Sequence, residues 1–110
     1  MLLSVKERFL ILSGLQLKGD IIFLKMRNIL VKKVGLNEEE IAKYEIKNDE
    51  GKVTWRIDLP QDTEIELTGM EMKLISDELV DQDKAKTLTP DHVSLYEKFV
   101  ERNTEEDKVH

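Results

Sequence analysis

The spacing of apolar residues changes twice along the chain, and each change marks a change of element. From Val5 to Leu12 and from Ile21 to Val34 apolar side chains recur at helical intervals; from Tyr44 to Leu67 they alternate; from Met72 to Val100 the helical interval returns. Ser4 suits a helix N-cap and Gly14 a stop, so a first helix is predicted over 5–14. Val5, Phe9, Leu10, Ile11 and Leu12 cover most of its faces, which predicts near-complete burial. Asp20 caps a second helix over 21–34, with Gly35 in the C′ position. Wrapped at about 100° per residue, Lys25, Asn28 and Lys32 form one polar stripe of that helix. Ile22, Phe23, Met26, Ile29, Leu30 and Val34 take the opposite arc, so this helix is expected to be central.

Asn37 and Glu40 have capping-box spacing and open a short third helix ending near Tyr44. Beyond it Tyr44, Ile46, Val53, Trp55, Ile57 and Leu59 point one way about a turn at Asn48-Asp49-Glu50-Gly51, the pattern of a hairpin with one face on a core. Pro60 ends the second strand because it has no N–H to donate. Thr63 to Leu67 reads as a third antiparallel strand, with Ile65 and Leu67 inward. Thr68 and Glu71 open a fourth helix whose stripe of Met72, Ile75 and Leu79 leaves the core by Leu79. Thr89-Pro90-Asp91 starts a fifth, with Val93, Tyr96, Phe99 and Val100 on one face. The predicted fold class is α+β: three N-terminal helices, a three-stranded antiparallel meander and two C-terminal helices, with a winged-helix-like arrangement as the variant. One domain is expected over 1–102, followed by a mobile tail over 103–110 with Val109 as its one apolar residue.

Composition narrows the function classes. A chain of 110 residues can bury a core without disulfides or a structural metal, and it has no cysteine, which removes thiolate and Cys-zinc chemistry. No apolar run approaches the roughly 18 residues that cross a bilayer, and the start lacks signal-peptide features, so no membrane contact and a cytoplasmic location are expected. The net charge of −6 is unevenly placed. Residues 1–37 carry seven cations, among them Lys25, Lys32 and Lys33, against Glu7 and Asp20, a balance of +5 that leaves −11 on the rest. That asymmetry steers an acidic partner or a second copy toward the N-terminal third, and Lys25, Lys32 and Lys33 are its candidate interaction residues.

Readable catalytic chemistry is missing. There is no glycine-rich phosphate loop, no nucleophile elbow and no histidine pair at metal-ligand spacing. His92 reads as a half-exposed residue at a helix start, Asp81-Gln82-Asp83 as solvated helix acids, and Glu38-Glu39-Glu40 as first-turn acids. Trp55 is expected in the core. The order of three helices and a hairpin is that of a winged helix-turn-helix. Its reading helix, however, begins with three glutamates, and the wing's Lys47, Lys52 and Arg56 are offset by Glu45, Asp49, Glu50 and Asp58. Nucleic acid is therefore a poor partner on charge grounds.

Three segments carry a resemblance: Ser4-Val5-Lys6-Glu7-Arg8, Lys52-Val53-Thr54-Trp55, and Leu88 to Val100. Together they resemble a family of small uncharacterised bacteriophage and prophage proteins, over nearly the whole chain to about position 101. The resemblance implies an accessory role in a host cytoplasm and assigns no site residues. The expectation is thus a small protein-interaction or structural module, not an enzyme and with no cofactor, acting on a protein partner or on itself. The alternative is a winged-helix-like nucleic-acid-binding or transcriptional regulator using the basic second helix.

Overall fold

The structure, a computed structural model, describes residues 1–101; the tail expected over 103–110 lies outside them. In chain order the elements are β1 (Leu2–Leu3), α1 (Val5–Gly14), α2 (Ile21–Val34), α3 (Glu38–Lys43), β2 (Lys47–Asp49), β3 (Lys52–Thr54), β4 (Thr63–Glu64) and α4 (Gly69–Lys84). A C-terminal helix follows, built from a 3-10 turn at Pro90–His92, one α-turn, α5 (Val93–Tyr96), and a π-turn at Glu97–Glu101. The α+β class holds. The helix starts lie where the capping residues put them, because each cap satisfies N–H groups that the helix itself leaves unpaired. Ser4, Asn37 and Thr68 each take the N–H of a glutamate three residues on, and Glu7, Glu40 and Glu71 each return the bond to the cap's own N–H.

Those three glutamates also hold the elements together. Lys98 of the C-terminal helix reaches Glu7 at 2.7 Å, Arg8 of α1 grips both oxygens of Glu40, and Lys33 of α2 reaches Glu71 at 2.7 Å. A carboxylate already fixed by its cap loses little further entropy on pairing, so each is a preformed anchor for a distant cation.

The strands are not a meander. β4 pairs antiparallel with β1, Leu3 opposite Thr63, while β2 and β3 form a separate two-stranded hairpin. The reason lies in what each segment can bury. Leu3 and Ile65 are 0% and 7% exposed, and the N-terminal ammonium binds Glu64 at 2.7 Å, so the β1–β4 ladder closes on the core. The hairpin has no such backing. All six of its strand residues are exposed, Ile57 just beyond is 83% exposed, and Trp55 is half-buried against Phe9 with ring centroids 5.4 Å apart. The tight turn itself forms as expected: Glu50 and Gly51 take φ of 53° and 81°, the positive pair that a two-residue hairpin loop requires.

The core joins Leu3, Ile11, Leu15, Leu30, Val34, Ile65, Ile75, Leu79, Leu95 and Phe99. It lies among the β1–β4 ladder, α1, the end of α2, α4 and the C-terminal helix. Two readings of helix burial change. In α1 Phe9, Leu10 and Leu12 are only half-buried, whereas Glu7 and Arg8 are 3% and 2% exposed. In α2 only Leu30 and Val34 are buried, so the helix is peripheral and not central. Gly35 follows it at φ −61°, outside the left-handed region, and a side chain there would meet the Val31 carbonyl at 2.8 Å.

Candidate functional site

The apolar arc of α2 is wider than the protein that covers it. Leu30 and Val34 on its inner side are fully buried, but Ile21, Ile22 and Ile29 are 65%, 70% and 53% exposed. α4 lies alongside in the opposite direction. Lys33 near the end of α2 bonds Glu71 near the start of α4, while Ile22 and Phe23 share a hollow with Asp77 and Asp81 near its end. That hollow measures about 430 Å³, and a second of about 190 Å³ contains Ile29 and Glu71. Met26 and Met70 line both, which makes them one groove with an apolar floor. Methionine suits such a floor because its unbranched side chain repacks against different occupants.

The charges that line the groove are mostly acidic. On the α2 side Asp20 and Lys33 line it, while Lys25 and Lys32 lie outside the lining. On the α4 side stand Asp77, Glu78 and Asp81, with Lys73 bonded to Asp77 at 2.8 Å. Burial, with the neighbouring Asp81 charge, raises the Glu78 carboxyl above its ordinary value, against a bond from Gln82. Of the three lysines singled out by sequence, Lys25 and Lys32 are exposed and have no partner among the described residues. Lys33 turns toward α4 and is committed to Glu71. Burial pushes Glu71 upward, but the bonds from Lys33 and Thr68 outweigh it and hold the carboxyl below the ordinary value. Its Oε2 is buried with no hydrogen-bond partner among the described residues.

A larger hollow, about 610 Å³, opens between the end of α2 and β4 and is lined by Arg8, Lys32, Lys33, Glu40, Glu64 and Glu66 among others. Its charges are mixed and mostly satisfied within the chain, since Arg8 is bonded to Glu40 and Lys33 to Glu71. A ligand there would compete with bonds the fold already uses. His92 lines a hollow of about 250 Å³ with Asp83, Tyr96 and Glu97. Its Nδ1 accepts the Thr89 N–H at 3.1 Å and lies 2.9 Å from Thr89 Oγ1, so that nitrogen serves the start of the C-terminal helix. Among the described residues no three His, Asp or Glu side chains converge as a metal site would need, and no helix is long and apolar enough to cross a membrane.

Sequence reasoning singled out the cations of α2 but placed Ile22 and Ile29 in the core. The signal it had was the width of the apolar arc: six residues of one surface helix face more than a single neighbouring layer can cover. Comparison with family models, curated proteins and solved structures found no match to this chain.

Proposed function

We propose that this protein is a small interaction module that docks a protein partner in the groove between α2 and α4. The observation that carries the reading is the exposure of Ile22, Ile29 and Met70, at 70%, 53% and 67%, around a floor of half-buried Met26, Phe23 and Leu74. Clustered large apolar side chains with a charged rim mark association surfaces, whereas single exposed ones do not. An accessory binder of phage type, as the resemblance implies, fits a surface of this kind. The nucleic-acid reading has less support, because Lys25 and Lys32 do not line the groove and the carboxylates of Asp20, Asp77, Glu78 and Asp81 do.

The test is affinity capture from source cells with the wild-type chain and the variant Ile22→Glu/Ile29→Glu side by side. Both side chains are exposed, so the variant should keep the wild-type melting temperature. The expected result is a protein retained by the wild type and lost by the variant. Identical capture by both chains would remove the groove as the functional surface.

A further inference from the structure

We propose that the free edge of β4 takes up an extended peptide segment of another protein as an added strand, in the large hollow between β4 and the end of α2. This site is separate from the α2–α4 groove and does not depend on it. β4 is tied to β1 through alternate residues only. Ile65 donates its N–H to the Met1 carbonyl at 2.9 Å, and Leu2 stands opposite Glu64 with Leu3 opposite Thr63. In an antiparallel ladder that register turns the N–H and C=O of Thr63 and Ile65 toward β1 and those of Glu64 away from it. Beyond the ladder the alternation continues: Ile65 is buried, Glu66 exposed and Leu67 half-buried, so the main chain of Glu66 faces the same way as that of Glu64. Among the described residues nothing bonds the main-chain N–H or C=O of Glu64 or of Glu66.

This unused edge opens into the hollow of about 610 Å³, which every residue from 63 to 68 lines. Most charged side chains around it are already engaged: Arg8 holds Glu40, Lys33 holds Glu71, and the N-terminal ammonium holds Glu64. A ligand held by side chains would compete with those bonds, whereas a peptide backbone meets groups that the fold has left open. N–H and C=O groups repeating at two-residue spacing are the complement of another extended main chain. The end of α2 and the start of α3 stand across the hollow, so what enters is a single extended chain and not the edge of a second folded sheet. Of the charged side chains that line it, Lys32 on the α2 wall and Glu66 on the strand have no partner among the described residues. A strand added beside β4 runs between them, and its residues on the side of α2 reach Lys32. That cation calls for a carboxylate in the incoming segment.

The test uses a synthetic peptide selected from a displayed random library against the full chain, so that the probe is defined. In the complex, amide exchange should slow at Glu64 and Glu66. Glu66→Pro removes one edge N–H and leaves the bonds to β1, so binding should weaken about tenfold. Glu66→Gln keeps that N–H and should bind as the wild type does. Methylation of the peptide's own amides should abolish binding at alternate positions only, a readout that needs no variant of the protein to fold. Lys32→Glu should weaken binding about threefold or more, while Lys25→Glu, outside the hollow, should not. Ile22→Glu/Ile29→Glu should leave the affinity unchanged, which separates this site from the α2–α4 groove. Three results would each overturn the added strand: a selection that yields no binder, a peptide indifferent to Glu66→Pro and to alternate methylation, or Glu64 and Glu66 amides already slow in the free chain.

Discussion

A guanidinium that is 2% exposed must replace nearly all the water it gives up, and Arg8 does so with three residues, two at the end of α2 and one in α3. Its Nε donates to the Val34 carbonyl at 2.8 Å, one terminal nitrogen to the Gly35 carbonyl at 2.8 Å, and both terminal nitrogens to Glu40. The two carbonyls are among those the end of α2 leaves unpaired, and Glu40 is the return half of the α3 capping box. One side chain from α1 therefore sets the angle between α2 and α3. Arg8→Met, which keeps the volume, should destabilise the fold by about 3–5 kcal/mol, because it leaves two carbonyls and a carboxylate short of donors. Arg8→Lys should recover only part of that, since an ammonium lacks the planar fork. Urea unfolding decides: a loss below about 1 kcal/mol for Arg8→Met would mean water replaces the guanidinium at little cost. Nothing local distinguishes Arg8 from a solvated helix cation, because Val34, Gly35 and Glu40 come together only in the tertiary fold. Glu7 was more legible. Ser4-Val5-Lys6-Glu7 has capping-box spacing, and that much of its surroundings is readable from the sequence.

At the scale of elements, boundaries were legible and burial was not. Caps act within four residues, so Ser4, Asp20, Asn37 and Thr68 set the starts of α1 to α4 whatever packs on them. Alternation, by contrast, says which residues share a face and leaves open what that face meets. The Val53-Trp55-Ile57 alternation is real, yet no layer lies behind it, and the third strand joined β1 because the N-terminal ammonium and Leu3 offered it a better closure. The hairpin's attachment is consequently narrow: the Trp55 ring on Phe9, the Arg56 N–H on the Tyr44 carbonyl at 2.7 Å, and the Tyr44 hydroxyl on the Pro60 carbonyl at 3.1 Å. A double-mutant cycle of Phe9→Ala and Trp55→Ala should give a coupling of about 0.5–1.5 kcal/mol. Trp55→Ala alone should cost less than the roughly 3–5 kcal/mol of a fully buried ring. Additive single effects would show that the two rings are neighbours without being partners. Amide exchange offers an independent check, since β2 and β3 should open far below the global unfolding energy.

Across the whole molecule, the charge asymmetry of the sequence does not carry into the groove, which Asp20, Asp77, Glu78 and Asp81 line and Lys25 and Lys32 do not. The sequence could not show that α2 and α4 adjoin, which is why the lysines were singled out and the groove was not. The three anchor glutamates give the molecule a further global property, its response to acid. Burial raises the Glu7 carboxyl, but bonds from Lys98, the Ser4 N–H and Ser94 outweigh it and leave it below the ordinary value of 4.5. The fork of Arg8 does the same for Glu40, against burial and with help from the Asn37 N–H, and Lys33 and Thr68 do so for Glu71. A lowered folded value means that the unfolded chain takes up these protons first as pH falls. The stabilisation is therefore present in full above about 4.5 and is lost on descending from there through the folded values. Glu78 works the other way: its raised carboxyl protonates in the folded chain first, which favours folding slightly as pH approaches 4.5 from above. With the three anchors, and the exposed Asp58 that the Arg56 bond also lowers, against Glu78 alone, the urea midpoint should stay nearly level from about pH 7 to about pH 5 and then fall steeply toward about pH 3. Glu7→Gln should lower the midpoint at neutral pH and flatten the acid limb, because it removes one of the three protonations. Loss of surface repulsion on acidification would be common to both chains, so the difference in slope isolates the anchor. Parallel acid limbs for wild type and Glu7→Gln would show that Glu7 titrates alike in the folded and unfolded chains.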